Sequence, residues 1–159
     1  MTGRGAALLL ARVAGIAWTL PNTVLGLLAG ITGIAFGAHA HLRTRDLAIV
    51  FHRWPWGPGG ALTLGNTILH TGVTLDSDCM TYAHMAGHLE QPVIRLADHE
   101  RAHVFQYMAL GPLFLPLYLL CGGVSVRNPF ERAADRYALT GRGWWPWNRG
   151  GMPASRTSA

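Results

Sequence analysis

The chain has 159 residues, of which half are hydrophobic and only 13% are charged, and its mean hydropathy is +0.21. Because an ordinary soluble domain carries about 25% charged residues, this composition indicates a membrane protein. The formal net charge of +5 comes without a basic helix or a basic and aromatic surface. This argues against a nucleic-acid partner and leaves the anionic head groups of a lipid bilayer as the simpler one.

The first predicted element is a single membrane-spanning helix over residues 13–38, preceded by an N-terminal tail at residues 1–12. The stretch contains no charged side chain and exceeds the roughly 20 residues that a helix needs to cross the bilayer core. A cleaved signal peptide is the alternative, because Ala38 and Ala40 form an A-x-A pattern. Its apolar part would normally be about 7–15 residues long, so the length favours a retained span. Pro21 is expected either to kink this helix or to lie near the start of its second part.

Arginines on both sides of the predicted span bear on its orientation. Two of them, Arg4 and Arg12, precede the span, and three follow it, at Arg43, Arg45 and Arg53. By the positive-inside rule, this small excess weakly favours a cytoplasmic location for the part of the chain after the span.

Short strands are expected next, at the start of a domain over residues 39–140. Residues 47–52 and 61–70 are rich in β-branched and alternating apolar side chains, and they flank a loop at 54–60 with two Pro and three Gly. This pattern predicts a β-hairpin or small sheet. Residues 93–96 are predicted to form a further short strand.

Two helices and an apolar segment complete the predicted α+β, membrane-anchored fold. Asp98 is expected to cap a helix over residues 99–110. The apolar segment that follows, at 112–120, is expected to be a helix or hairpin. A last helix is predicted over 130–139, and its ends are signalled by Asn128, Pro129 and Gly141. Residues 141–159 are expected to be a flexible tail.

The helix at 99–110 carries the pattern H-E-x-x-H, in His99, Glu100 and His103. Residues at i and i+4 share one helix face, so both imidazoles can reach one metal ion. Glu100 lies beside this face, in the position of a general base that acts on a metal-bound water. The alternative is an ordinary helix with two unrelated histidines.

The helix at 130–139 carries E-x-x-x-D, in Glu131 and Asp135, again one turn apart. One of these carboxylates can complete the metal site, and the other can accept the free ring N–H of a ligand histidine. The alternative is a surface helix whose acidic side chains pair with Arg132 and Arg136.

Together, the two motifs resemble those of the gluzincins, the thermolysin-like zinc metallopeptidases and their membrane-embedded relatives. The resemblance implies that His99, His103 and Glu131 bind Zn²⁺, that Glu100 is the catalytic base, and that Asp135 supports a ligand histidine. It implies a membrane-anchored zinc peptidase that acts on a peptide or protein substrate.

A wider resemblance connects the string HERAHVFQYMALGPLFLPLYLL, the later NPFERAAD and the earlier LPNTVLG to a family of small bacterial membrane proteins. It implies a location in the bacterial cell membrane.

The group that steadies the oxyanion is left open between several side chains. Tyr137 and His70 are the first candidates, and the others are Arg136, Tyr118, His84 and His88. A non-catalytic zinc-binding scaffold or partner module is the alternative function. It would have a closed site, with a fourth protein ligand such as His70, His84 or His88.

The metal site also constrains the topology of the apolar segment at 108–124. If this segment crossed the bilayer, its rise of about 25 Å would separate the two histidines from Glu131. We therefore expect it to be a re-entrant, interfacial or core element, with one true span in the chain.

Overall fold

The computed structural model describes residues 3–85 and 93–147, which form a mixed α+β fold. Within these residues the helices are α1 (Gly3–Trp18), α2 (Leu20–Ile34), α3 (Tyr82–Met85), α4 (Leu96–Leu110), α5 (Phe114–Leu120) and α6 (Pro129–Thr140). The strands are β1 (His39–Arg43), β2 (Ala48–His52), β3 (Ala61–Leu64), β4 (Thr67–His70), β5 (Asp78–Met80) and β6 (Val93–Arg95). A four-stranded sheet has the order β1-β2-β4-β3, and β5 pairs with β6.

The N-terminal region is a pair of helices rather than a tail followed by one long helix. Helix α1 already begins at Gly3, inside the predicted tail, and the chain bends by 64° between α1 and α2. Pro21 lies in the first turn of α2, where its missing N–H leaves no hydrogen bond unmade. The predicted boundaries 1–12 and 13–38 are therefore wrong: the break falls at Thr19, and α2 ends at Ile34.

Two parts of the described chain are long and apolar enough to cross a membrane. One is the continuous helical run Leu96–Leu120, which joins α4, a 3-10 turn (Gly111–Leu113) and α5, and the other is the bent pair α1 and α2 taken together. The core helix of a globular protein can satisfy the same criterion.

The four-stranded sheet consists of two hairpins joined by a parallel pair. Strands β1 and β2 are antiparallel, β2 and β4 are parallel, and β3 and β4 are antiparallel. The predicted small sheet is therefore confirmed, whereas its alternative, a hairpin between 47–52 and 61–70, is wrong, because 61–70 itself folds back at Gly65 and Asn66. The polar stretch at 39–43 is a strand that the sequence analysis missed.

Contacts with α2 explain why the chain turns at Gly65 and Asn66. Gly65 has a φ of +61°, which suits a two-residue turn. The backbone N–H of Asn66 donates to Thr23 Oγ1 at 2.9 Å, and Thr19 Oγ1 donates to the Asn66 side chain at 2.5 Å. The turn is thus held from another element, which a local sequence pattern cannot indicate.

The sheet lies between two layers of helices. On one face, Gly30 of α2 sits so close to Phe51 that a Cβ would clash with the ring. On the other face, Val50 and Ile68 pack in one cluster with Val104 and its neighbours on α4. Helix α6 packs against the side of α4. Helix α4 therefore lies between the sheet and α6, and most residues of its first two turns are buried.

The strand expected at 93–96 is present as β6, and it runs straight into α4. The helix therefore begins at Leu96, and Asp98 is not its N-cap as predicted but lies in the first turn. There its carboxylate accepts from Arg101 at 2.8 Å. The limits of α6 confirm the prediction, since Asn128 accepts from the N–H of Phe130 and Gly141 ends the helix at φ +70°.

Residues 141–147, predicted as part of a flexible tail, are packed against α4 and α6. The carbonyl of Trp144 accepts from Gln106 at 2.9 Å, and the carbonyls of Gly143 and Trp145 accept from Arg136. Side-chain donors on both helices thus hold this segment. Residues 148–159 of the predicted tail lie outside the described residues.

Candidate metal centre

Three side chains from two helices converge on one point. His99 Nε2 lies 3.1 Å from His103 Nε2 and 3.1 Å from Glu131 Oε2, and His103 Nε2 lies 3.4 Å from the same carboxylate oxygen. Ligands held at 2.0–2.1 Å by a tetrahedral ion are about 3.3 Å apart. All three residues are buried. The predicted triad is therefore brought together, and it could hold one metal ion.

Hydrogen bonds on the far side of each imidazole decide which nitrogen faces the centre. His99 Nδ1 is 2.9 Å from Asp135 Oδ1, and His103 Nδ1 is 2.8 Å from Gln106 Oε1. Because these partners accept, each Nδ1 carries the proton and each Nε2 presents a lone pair. Two lone pairs and a carboxylate within 3.4 Å repel one another unless a positive charge lies between them.

Gln106 is a member of the site that the sequence analysis missed. Its amide nitrogen donates to the carbonyls of Phe130 (3.1 Å) and Trp144 (2.9 Å), so its oxygen is the atom that faces His103. Gln106 follows His103 by three residues on α4, which puts it on the same helix face. This spacing is the only feature of the sequence that connects Gln106 with the site. The orientation of its amide depends on the two carbonyls, which come from α6 and from residues 141–147.

The electrostatics of the triad favour positive charge. Burial opposes protonation of His99, but its hydrogen bonds to Asp135 and Glu131 outweigh burial and raise its pKa to about 10. Burial likewise acts to raise the pKa of Glu131, but the neighbouring His103 and His99 hold it well below its usual range. The centre thus stabilises a cation, whether protons or a metal ion.

Glu100 lies in the same pocket as the three ligands but does not join the group of ligand atoms. Its Oε2 accepts a hydrogen bond of 2.6 Å from Thr63 Oγ1, and both side chains are buried. Thr63 belongs to β3, so the sheet fixes one oxygen of this carboxylate. Glu100 thus lies beside the triad, and its role as the base that acts on a metal-bound water stays a prediction.

A cleft of about 90 Å³ leads to the centre. Strand β3 forms one wall, with Ala61, Leu62 and Thr63, and the segment that contains α5 forms the other, with Phe114 and Tyr118 among its residues. Among the described residues that line it, Glu100 and Glu131 are the only carboxylates, and there is no lysine or arginine. The cleft is therefore an apolar channel that ends in a polar floor.

The two side chains predicted first as oxyanion donors do not line this cleft. Tyr137 packs on Phe105, with ring centroids 5.7 Å apart, and His70 Nδ1 is 3.1 Å from His52 Nδ1. The cleft instead contains Tyr82 and Tyr118. Tyr118, one of the other candidates, donates to Glu131 Oε1. Tyr82 was not considered, because nothing local connects it to His99, which is 17 residues further along the chain.

The remaining candidates are also placed away from the cleft or are not described. Arg136 donates to the carbonyls of Gly143 and Trp145. His84 is described but does not line the cleft, and His88 lies outside the described residues.

Comparisons of the chain with protein-family models, with curated proteins and with solved structures found no match.

Proposed function

We propose that this chain is a membrane-anchored, zinc-dependent metallopeptidase with a gluzincin-type site. The observation that carries the proposal is the meeting of His99, His103 and Glu131 within 3.4 Å, with Glu100 in the same cleft. Two imidazoles and one carboxylate form the donor set that catalytic zinc sites use. A structural zinc site would be closed by a fourth side chain, whereas the group found among the described residues has three members.

The proposed chemistry is hydrolysis of an amide bond. His99, His103 and Glu131 would hold the zinc ion, which when bound would supply an activated water and a Lewis acid for the substrate carbonyl. Thr63 holds Oε2 of Glu100, which leaves Oε1 to take a proton from water and later pass it to the leaving amine. Asp135 and Gln106 keep the two histidines in the tautomer that leaves Nε2 unprotonated.

Two phenols in the cleft are the proposed donors to the oxyanion, in place of Tyr137 and His70. Burial is the main cause that raises the pKa of both Tyr82 and Tyr118, and the nearby carboxylate of Glu131 adds to it. Both hydroxyls therefore keep their protons and can donate at neutral pH.

The substrate is proposed to be a peptide that binds in extended form along β3. This strand is at the edge of the sheet order β1-β2-β4-β3, and residues 61–63 run along the cleft. An extended chain can add to such an edge through main-chain hydrogen bonds. The apolar wall opposite, from Phe114 to Val124, suits an apolar side chain of the substrate.

The proposed anchor is the helix pair α1 and α2. In α2 the large apolar side chains face outward and the small or polar ones face the protein, which is the reverse of a surface helix in a soluble protein. Its buried residues are small or polar: Asn22, Thr23, Gly26, Gly30 and Gly33. Its exposed residues are large and apolar: Leu20, Val24, Leu25, Leu28, Ile31 and Ile34. A helix with this distribution is stable where its surroundings are apolar, as in the lipid of the proposed bacterial cell membrane.

The run Leu96–Leu120 is not part of the proposed anchor. Its first two turns bury charged and polar side chains between the sheet and α6, which is the position of a core helix. The hydrolytic domain is then proposed to lie against one membrane face, and Arg43, Arg45 and Arg53, which follow α2, favour the cytoplasmic one.

The test is the variant Glu100→Gln, compared with Asp78→Asn, a matched carboxyl-to-amide change at an exposed position. Purified full-length protein in detergent is loaded with Zn²⁺ and incubated with a mixed peptide library, and new termini are read by mass spectrometry. We expect Glu100→Gln to keep one zinc at the triad and to lose at least about a hundredfold in cleavage. Asp78→Asn should cleave as the wild type does.

Two results would contradict the proposal. In one, Glu100→Gln cleaves at the wild-type rate. In the other, zinc-loaded wild type cleaves no peptide in the library, although metal analysis shows the triad filled.

A further inference from the structure

A second set of imidazoles forms a row across three neighbouring strands. His39 in β1 is the cross-strand partner of His52 in β2. Strands β2 and β4 run parallel with Phe51 opposite Leu69, so the next residues, His52 and His70, are side by side. Side chains paired in this way share a face of the sheet. We call His39, His52 and His70 the histidine row.

The histidine row is on the sheet face that packs against α4. Val50 and Ile68, two residues before His52 and His70, share this face and pack with the apolar side chains of α4. The row shares no residue with the metal centre. His70 is paired across the strands with Ala61, which lines the cleft, so the row is close to the wall of the proposed substrate site.

The spacing within the row matches that of a pair of metal ligands. The Nδ1 atoms of His52 and His70 are 3.1 Å apart, the same separation as the Nε2 atoms of His99 and His103. Nitrogen ligands on one tetrahedral ion are about 3.3 Å apart. The ring of His39 has its centroid 5.8 Å from that of His52, and its nitrogens lie farther than 4.8 Å from at least one of the other two ligand atoms. Because His39 is exposed, its side chain is free to turn, and a third ligand from His39 requires that it do so.

The rings of His52 and His70 have few polar partners within the protein. His52 and His70 are both buried, and within the described part of the chain the one hydrogen bond of their rings is the one they share. That bond uses one nitrogen of each ring. The second nitrogen of each ring is reached by solvent, since among the described residues the one buried side-chain nitrogen or oxygen without a partner is His84 Nδ1. The shared Nδ1 atoms are thus the pair between which an ion could replace the proton.

The backbone around the pair is built tightly. Gly72 passes so near the His70 ring that a Cβ would lie 2.8 Å from its Nε2. The N–H of Trp54 donates to the carbonyl of His70, and that of Arg53 donates to Gly72, each at 2.9 Å. The strand ends that carry His52 and His70 are therefore fixed relative to each other.

We propose that the histidine row binds a second divalent transition-metal ion, with His52 and His70 as the first two ligands and His39 as the third. Three neutral imidazoles suit Zn²⁺, Ni²⁺ or Cu²⁺ and do not suit Ca²⁺ or Mg²⁺, which prefer oxygen. An ion at this place ties β1, β2 and β4 together at the end of the sheet beside the cleft wall. Such a link stabilises the folded state by mass action.

The test counts zinc ions bound to the full-length protein. Protein in detergent is stripped with a chelator and dialysed against buffered Zn²⁺, and bound zinc is measured by mass spectrometry of the metal. We expect two ions for each wild-type chain, one for His52→Gln, one for His103→Ala and none for the double variant. His39→Ala should weaken the second site at least about tenfold, because one of three ligands is lost.

The control is His41→Ala, which removes an exposed histidine from the same face of the same strand. It should leave both zinc ions in place. Circular dichroism checks the fold of each variant. If His52→Gln does not fold, the comparison of His39→Ala with His41→Ala decides, since both residues are exposed. One zinc ion in the wild type, unaffected by His52→Gln, would overturn the proposal, as would equal second-site affinity in His39→Ala and His41→Ala.

Discussion

Helices α2 and α4 both bury polar side chains, but their surroundings differ: α4 lies in the interior of the protein, whereas α2 has an exposed outer face that is apolar. Helix α4 buries His99, Glu100, Arg101, His103 and Gln106 on its way past the sheet and α6. Helix α2 buries Asn22 and Thr23 with three glycines, and it presents its large apolar side chains to the outside. Judged by hydropathy alone, the more apolar α2 would be expected in the interior of the protein and the more polar α4 at its surface.

In α4, the buried histidine, glutamate, arginine and glutamine side chains each have a partner that compensates for their removal from water. Arg101 forms ion pairs with Asp46 and Asp98, and the two histidines are bonded to Asp135 and Gln106. Such groups are costly to bury singly and tolerable when paired. The polar interior of α4 is therefore a set of specific bonds, and the metal centre is one part of that set.

In α2, the small inward side chains serve close packing on the sheet. Gly30 lies against Phe51, and a Cβ at Gly26 would be only 2.7 Å from the Cβ of Thr67. The large apolar side chains have no room on this side and face outward. The comparison shows that a buried polar side chain needs a hydrogen-bond or ion-pair partner. An exposed apolar face instead needs an apolar surface to cover it, which is here proposed to be lipid.

The largest effect should come from making the outer face of α2 polar. The triple variant Leu25→Ser, Leu28→Ser and Ile31→Ser changes three side chains that are each more than half exposed. Burial of such side chains in lipid contributes about 4 kcal/mol together, so partition into vesicles should fall roughly a thousandfold. Sedimentation with vesicles that contain anionic phospholipid measures this.

The matched control changes exposed apolar side chains after β4 and in β6, Val73→Ser and Val93→Ser. These variants should bind vesicles as the wild type does. If the triple variant also binds like the wild type while its circular dichroism is unchanged, the outward face of α2 is not the lipid contact, and the comparison between the two helices fails.

A second, smaller effect tests whether the polar interior of α4 supports the metal. Gln106→Leu removes the acceptor of the His103 Nδ1 proton, and partners of this kind typically contribute 10–100-fold to metal affinity, so we expect zinc affinity to fall by about that factor. Gln106→Glu keeps an acceptor and should retain more of the affinity. Competition with a chromophoric chelator gives the values, and equal affinity in the two variants would show that His103 does not depend on this bond.

The smallest effect concerns the inward face of α2. Gly30→Ala should lower the free energy of unfolding by about 1 kcal/mol, because the clash with Phe51 costs about 1–3 kcal/mol and the better helix propensity of Ala offsets about 1 kcal/mol. Leu28→Ala, on the outward face of the same helix, is the control and should stay within about 0.5 kcal/mol in detergent. Thermal unfolding followed by circular dichroism measures both, and a more stable Gly30→Ala variant would mean that α2 is not in close contact with the sheet.

The motifs H-E-x-x-H and E-x-x-x-D are properties of the amino-acid order, and so are the limits of α6. Residues one turn apart share a helix face whatever surrounds the helix, and Asn128 and Gly141 act on the helix ends that they adjoin. The triad and Asp135 were predictable for this reason.

The tertiary structure alone decided the strand order, the bend at Thr19, and the choice of Gln106, Thr63, Tyr82 and Tyr118 as neighbours of the triad. Each depends on groups far apart in the chain, such as Thr19 with Asn66 or Thr63 with Glu100. Local propensity carries no information about such pairs, because a hydrogen bond between distant residues forms only after packing has brought them within about 3 Å.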